Sequence, residues 1–297
     1  MEVIVSYLAW VAVAVFVLVG LYRMLRYASL PVFLRWELYP VPTEPRHHYG
    51  GSYMEEVDFV KKARHHTRIG GLIDMASEVF LLKKLKDYNQ FGLWPFSFLM
   101  HWGIYLLFLW FLLLAVEARL KLGVFTGLVN FLGPVAFISG AFGSLGLILK
   151  RVGNDKLGSY TTPEDYFNLI FLGAVFGSGL IAWSYTDLTF DYTRALIKQA
   201  LFFETSPLPI PFWVWLHLLL FELFLIYLPF SKLFHYAIKY LTFDKILWDD
   251  AFKVKDSPLD RKIAKQLSYI VSWAGPHIVP GKTWLEEAQL TDGGGEK

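Results

Sequence analysis

PFWVWLHLLLFELFLIYLPFSKLFHY, residues 211–236, is the stretch on which the reading of the chain turns. It is apolar almost throughout and carries His217 and His235, 18 residues apart. At about 3.6 residues per turn, that spacing is five turns of an α-helix, which predicts both rings on one face with Cα atoms about 27 Å apart along the axis. The distance is close to the ~30 Å hydrocarbon core of a bilayer, so one helix is expected to present an imidazole near each membrane surface. Ionisable side chains on a spanning helix are costly, and they mark functional sites in company with partners on other helices.

The rest of the chain suits that setting. Of 297 residues, 55% are hydrophobic and only 18% charged, which points to an integral membrane protein. A net charge of +2 is too small to suggest a nucleic-acid partner. The absence of cysteine excludes a cysteine-ligated iron–sulfur cluster, a disulfide framework and a covalently attached c-type haem. Any redox cofactor must then be held by histidine or without covalent bonds.

Five apolar runs predict an all-α, five-helix membrane bundle, with spans at about 3–22, 91–116, 125–149, 166–183 and 212–236. The first run is followed by Arg23 and Arg26 and lacks a preceding basic segment, so a retained helix is expected rather than a cleaved signal peptide. The polar stretch between the first two spans carries His47, His48, His65 and His66, read as surface residues. Its SEVFLLKKLKDYN segment has amphipathic spacing. On the third run, Gly133, Ser139, Gly140, Gly143, Ser144 and Gly146 would admit a neighbouring helix or a flat cofactor. Thr162, Pro163 and Asp165 form a helix start, and residues 193–203 read as a short interfacial helix. Residues 1–240 are thus expected to be the membrane domain. Residues 241–297 read as a cytoplasmic tail, with an amphipathic helix over 259–272, an extended remainder laid on a partner subunit, and His277 as a packing or surface residue.

Lys and Arg set the orientation. Of 28, 24 fall in the loops and tail of one face and four in the two loops of the other. Basic residues gather on the cytoplasmic side, which predicts a multi-pass protein of the cytoplasmic membrane with its N-terminus outside and C-terminus inside. His101, early in the second span, then lies at the cytoplasmic depth of His235. Two imidazoles facing each other across a bundle are the ligand set of a six-coordinate haem b. His217 lies towards the outer face, where position 111 on the second span holds Phe111 rather than a histidine. Either it serves another purpose, such as a hydrogen bond to a quinone, or it holds a second haem with an unusual or missing partner. Glu222 is the one acid well inside a span, read as a proton acceptor or as a protonated acid bonded between helices. Lys232 and Arg151 are candidates to pair with haem propionates or to serve as interfacial anchors.

LHLLLFELFLIYLPFSKLFH, residues 216–235, resembles the helix of the nitrate reductase gamma subunit family of membrane cytochromes b that carries one ligand of each of two haems. FLMHWGI around His101 resembles the start of that family's second helix, and LILKR followed by TTPEDYFNLI its third-to-fourth turn. The resemblance implies a haem b quinone-oxidoreducing subunit, with His101 and His235 as the inner pair and His217 as one ligand of an outer haem. Phe111 stands where the family has its fourth histidine. WAGPHIVPGKTW in the tail is similar to the membrane cytochrome b subunit of the sulfite-reduction-associated electron-transport complex. That branch implies menaquinone, other membrane-complex subunits and a cytoplasmic iron–sulfur partner of the heterodisulfide-reductase type. A gamma-type cytochrome b of another respiratory reductase, a proton-relaying transporter and a plain membrane anchor are the alternatives.

Overall fold

The computed structural model describes residues 2–29, 57, 61, 68–120, 123–204, 206, 208–239, 241, 255–275 and 278–290. His47, His48, His65, His66 and His277, with the expectations attached to them, lie outside the described residues. The chain divides into two units, one of Met1–Arg23 with Ala76–Tyr236 and one of Met24–Met75 with Ala237–Lys297.

Five helices are long and apolar enough to cross a membrane, as the hydropathy pattern predicts. They lie in α1 (Glu2–Ala28), α4 (Trp94–Leu120), α5 (Thr126–Val152), α7 (Pro163–Thr186) and α9 (Phe212–Tyr227). Between them come α2 (Arg68–Leu81), the short α3 (Lys83–Asp87), the short α6 (Asp155–Ser159) and α8 (Asp191–Phe202). Among the described residues there is no strand. Most spans run several residues beyond their apolar cores, because caps and interfacial polar residues extend a helix past what hydropathy measures. At α7, Thr162 Oγ1 accepts from Asp165 N while Asp165 accepts from Thr162 N, a closed capping box with Pro163 in the first turn.

The first unit is built on α5 and α7, the spans most buried within the protein. Leu114, Val129, Phe137, Leu172, Val175 and Phe176 form its centre. The small residues of α5 serve packing between protein elements. A Cβ on Gly103 of α4 would lie 2.5 Å from the Gly140 backbone nitrogen, and one on Gly140 would meet the Phe176 ring at 2.5 Å. Backbones can approach this closely only where neither helix carries a side chain. One aromatic ring and one helix backbone therefore occupy the groove that a flat cofactor might have used at these positions.

At one end of the bundle α8 is fastened down. Arg194 Nε pairs with Glu117 Oε2 at 3.0 Å and its Nη2 donates to Asn130 at 3.1 Å, while Thr126 donates to Glu117 Oε1 at 2.9 Å. Asp187 accepts from Tyr192 N, Thr193 N and Thr193 Oγ1, which satisfies donors in the first turn of α8. Phe190, at φ +58°, is turned between Trp110 and Phe137 and is buried. The interfacial helix expected at 193–203 begins two residues earlier, at Asp191, because Asp187 caps it. α1 meets the same end through Trp10, whose Nε1 donates to Ala200 O at 3.1 Å.

The fifth span corrects the opening expectation. The α-helix does not continue to His235: it ends at Tyr227 and is followed by 3₁₀ turns at Leu228–Phe230 and Lys232–Phe234, with helix resuming over 235–239. Pro229 has no N–H to donate, and Ser231 is extended, at φ −95° and ψ 171°. Its hydroxyl accepts from Leu233 N, so Ser231 caps the turn that follows. Five uninterrupted turns therefore do not join His217 to His235.

In the second unit, α10 (Pro258–Leu267) is capped by Ser257 and ends before residue 272. The chain then folds back: Val271 N donates to Lys282 O at 2.8 Å and Gly281 N to Val271 O at 2.9 Å, leading into α11 (Trp284–Ala288). Thr283 and Glu286 close a capping box there, and Val271 is buried. The tail expected to be extended has a local fold, because a buried valine and paired backbone groups hold the two arms together.

Candidate functional site

Four residues separate Ser97 from His101, one turn of α4, and that spacing brings the imidazole back onto its own helix. His101 Nδ1 lies 2.7 Å from Ser97 O. A carbonyl can only accept, so the short contact places a proton on Nδ1. At the other residue the 3₁₀ turn does the same work: His235 Nδ1 lies 3.2 Å from Lys232 O, three residues back. Both rings are thereby fixed in one tautomer by main-chain acceptors, the arrangement that orients metal-binding histidines.

The two rings meet. Their centres are 6.4 Å apart with planes at 69°. A metal-bound imidazole nitrogen sits about 2 Å from the ion and about 1.1 Å from its own ring centre, so two trans imidazoles place their centres roughly 6.3 Å apart. The pair stands edge to face, an ordinary ring contact, and its length also suits two imidazole nitrogens reaching one ion. His101 is half-buried and His235 exposed, so the pair opens at the surface of the bundle. Tyr105 borders it, its ring centre 6.4 Å from that of His101 and its hydroxyl donating to Val79 O.

Among the described residues no group of three or more His, Cys, Asp or Glu could hold a metal ion. A tetrahedral zinc site needs four ligands, or three with water, which this pair does not supply. Two imidazoles are a donor set that would suit haem iron, and His101 and His235 are the residues that would hold it.

No family model, curated protein or solved structure matches the chain.

His217 is placed differently. Its Nδ1 is 3.1 Å from Ser178 Oγ on α7, and that hydroxyl also lies 3.0 Å from Val175 O. The imidazole stands edge-on to Phe137, with ring centres 5.4 Å apart, and a Cβ on Gly179 would lie 2.9 Å from its Cε1. Phe137 in turn packs on Trp110 and Phe190. Among the described residues no second imidazole meets His217, and Phe111 lies on an exposed face of α4. Ser178 is the partner that sequence spacing missed. A serine on a neighbouring span carries no depth signal of its own.

Glu222 is buried, and neither carboxylate oxygen has a hydrogen-bond partner among the described residues. The helix-to-helix bond expected of it is absent there; that link is made instead by Tyr227, whose hydroxyl donates to Asn168 at 2.8 Å. Lys232 reaches the start of α7, with Nζ 3.1 Å from Asp165 and 3.5 Å from Glu164. Arg151 donates to Leu147 O on its own helix. The carboxylates thus engage Lys232, although both cations stood as candidates for propionates.

Proposed function

We propose that the chain is a haem b electron-transfer subunit, with His101 and His235 as the axial residues. One observation carries this reading: two imidazoles, one on α4 and one just beyond α9, with ring centres 6.4 Å apart and each Nδ1 beside a backbone carbonyl. When bound there, a six-coordinate haem iron supplies one-electron transfer with little change in geometry. The protein's own contribution is to hold the two rings at fixed separation and tautomer, with one ligand on α4 and the other beyond the end of α9. In this reading His217 serves structure, bonding Ser178 and filling space beside Phe137.

The wider assignment rests on the resemblance and on charge. The resemblance of residues 216–235 and of the His101 segment to gamma-type membrane cytochromes b favours exchange of electrons with a membrane quinone. The tail motif favours menaquinone and a cytoplasmic iron–sulfur partner of the heterodisulfide-reductase type, in sulfite or sulfate respiration. The gathering of Lys and Arg supports a cytoplasmic location for the His101–His235 end and for the tail. The absence of cysteine agrees with clusters carried by another chain.

The test is the haem content of the purified, detergent-solubilised protein with its reduced-minus-oxidised spectrum. One low-spin haem b per chain, lost in His101→Ala and in His235→Ala, is expected. A wild type that binds no haem after expression with haem supplied would sink the assignment.

A further inference from the structure

The break between Tyr227 and His235 poses a mechanical problem. In an unbroken α-helix the main chain itself fixes where residue 235 lies. Here an extended Ser231 between two 3₁₀ turns removes that constraint, yet the His235 ring stands at a defined separation from His101. Something outside α9 must hold the elbow.

Two elements do so. In a regular helix Pro229 O would accept from Leu233 N, but that N–H goes to Ser231 Oγ at 3.2 Å. Arg23 of α1 takes its place, donating Nη1 to Pro229 O, and its guanidinium lies 5.3 Å from the centre of the Phe234 ring. On the other side, the first turn of α7 grips Lys232 at two points. Nζ bonds Asp165 at 3.1 Å and Thr162 Oγ1 at 3.0 Å and pairs with Glu164 at 3.5 Å, while Lys232 N donates to Glu164 Oε1 at 3.3 Å. The carbonyl of the same Lys232 accepts from His235 Nδ1. A residue held at its side chain and its nitrogen thus presents its oxygen to the ligand imidazole.

We infer that Lys232, clamped by Glu164 and Asp165, and Arg23, bound at Pro229 and Phe234, are positioning residues that set the height and orientation of the His235 ring. The inference rests on the reading of His101 and His235 as a ligand pair. It gives the fourth span a part in the site although it contributes no ligand, and it gives the basic residue of LPFSKL a role other than binding a cofactor carboxylate. Groups that orient a metal-binding histidine change metal affinity about 10–100-fold when removed.

The experiment compares wild type, Lys232→Gln, Lys232→Arg and Glu164→Gln in the full-length detergent-solubilised protein. The readouts are the electron paramagnetic resonance spectrum of the oxidised form and the rate of haem transfer to apomyoglobin. Lys232→Gln is expected to release haem about tenfold faster and to convert part of the low-spin signal to high-spin, as His235 detaches. Lys232→Arg, which can still bridge both acids, is expected to restore the low-spin signal. A purely structural role would lower the unfolding temperature and leave the spin state unchanged. Glu164→Gln leaves the Thr162–Asp165 capping box intact and supplies the answer if Lys232→Gln does not fold, with the same change expected in smaller degree. A low-spin wild type whose spectrum and release rate survive both Lys232→Gln and Glu164→Gln overturns the clamp alone. A wild type without haem overturns the ligand pair and the clamp together.

Discussion

The two ends of the fifth span each carry a histidine, and the protein treats them in opposite ways. At one end His235 lies beyond the helix, on an elbow held from outside, and faces another imidazole. At the other His217 lies within regular helix and faces a serine hydroxyl and a phenylalanine edge. The same residue type, at the two ends of one stretch, meets an imidazole in one place and a serine and a phenylalanine in the other. The difference lies in what the neighbouring helix offers at that depth. α4 presents His101 to the first, whereas α7 presents Ser178 and Gly179 to the second.

Removing a ligand is the strongest way to break the comparison. His101→Ala or His235→Ala is expected to abolish the low-spin haem spectrum completely, whereas His217→Ala is expected to leave haem content at the wild-type value. If His217→Ala halves the haem content instead, the His217 end also binds a haem and the contrast between the ends fails.

The His217 end should answer to stability rather than to spectrum. Glu117 is buried and shared by Arg194 and Thr126, and truncating one partner of a buried pair costs about 3 kcal/mol. Glu117→Ala is therefore expected to lower the unfolding temperature markedly, with no change in the spin state of the haem. A shift of the spectrum would show the two ends to be coupled.

A smaller effect is expected at His217 itself. Loss of one hydrogen bond to Ser178 and of the contact with Phe137 should cost about 1 kcal/mol, read as a modest fall in the thermal midpoint.

The least effect is one of pH, and it belongs to the His235 end. The hydrogen bond that Lys232 donates to Asp165, helped by the charges of Asp165 and Glu164, holds the Lys232 ammonium above its ordinary range. A group whose folded value is raised stabilises fully below its unfolded pKa, about 10.4 for lysine, and loses that contribution as pH rises through the folded value. The low-spin spectrum should therefore be flat from neutral pH to about 10 and weaken only above it, a weakening advanced to lower pH in Glu164→Gln. A titration with its change centred below pH 9 would mean that the clamp is not what fails.

Much of this was legible in the chain. Apolar runs long enough to span a bilayer need no tertiary information, and the Thr162, Pro163 and Asp165 start of α7 depends on bonds within four residues. The break after Tyr227 had a local signal too, since Pro229 in LPFS withholds a donor and Ser231 can cap the turn that follows. Hydropathy conceals it, because Leu, Pro and Phe read as one apolar run. What no local pattern carries is the partner of each polar group. Ser178 opposite His217, Arg194 upon Glu117 and Arg23 at Pro229 O each join residues from distant parts of the chain.

The sequence by itself determined the class of the molecule and the number of its candidate spans, because burial in lipid and helical rise act residue by residue along the chain. Only the tertiary structure decided which histidines meet. Pairing depends on the rotation of one helix against another and on the elbow at Ser231, and these are set by contacts that the order of residues does not display: Gly103 on Gly140, Lys232 between two acids, and Arg23 at the broken turn.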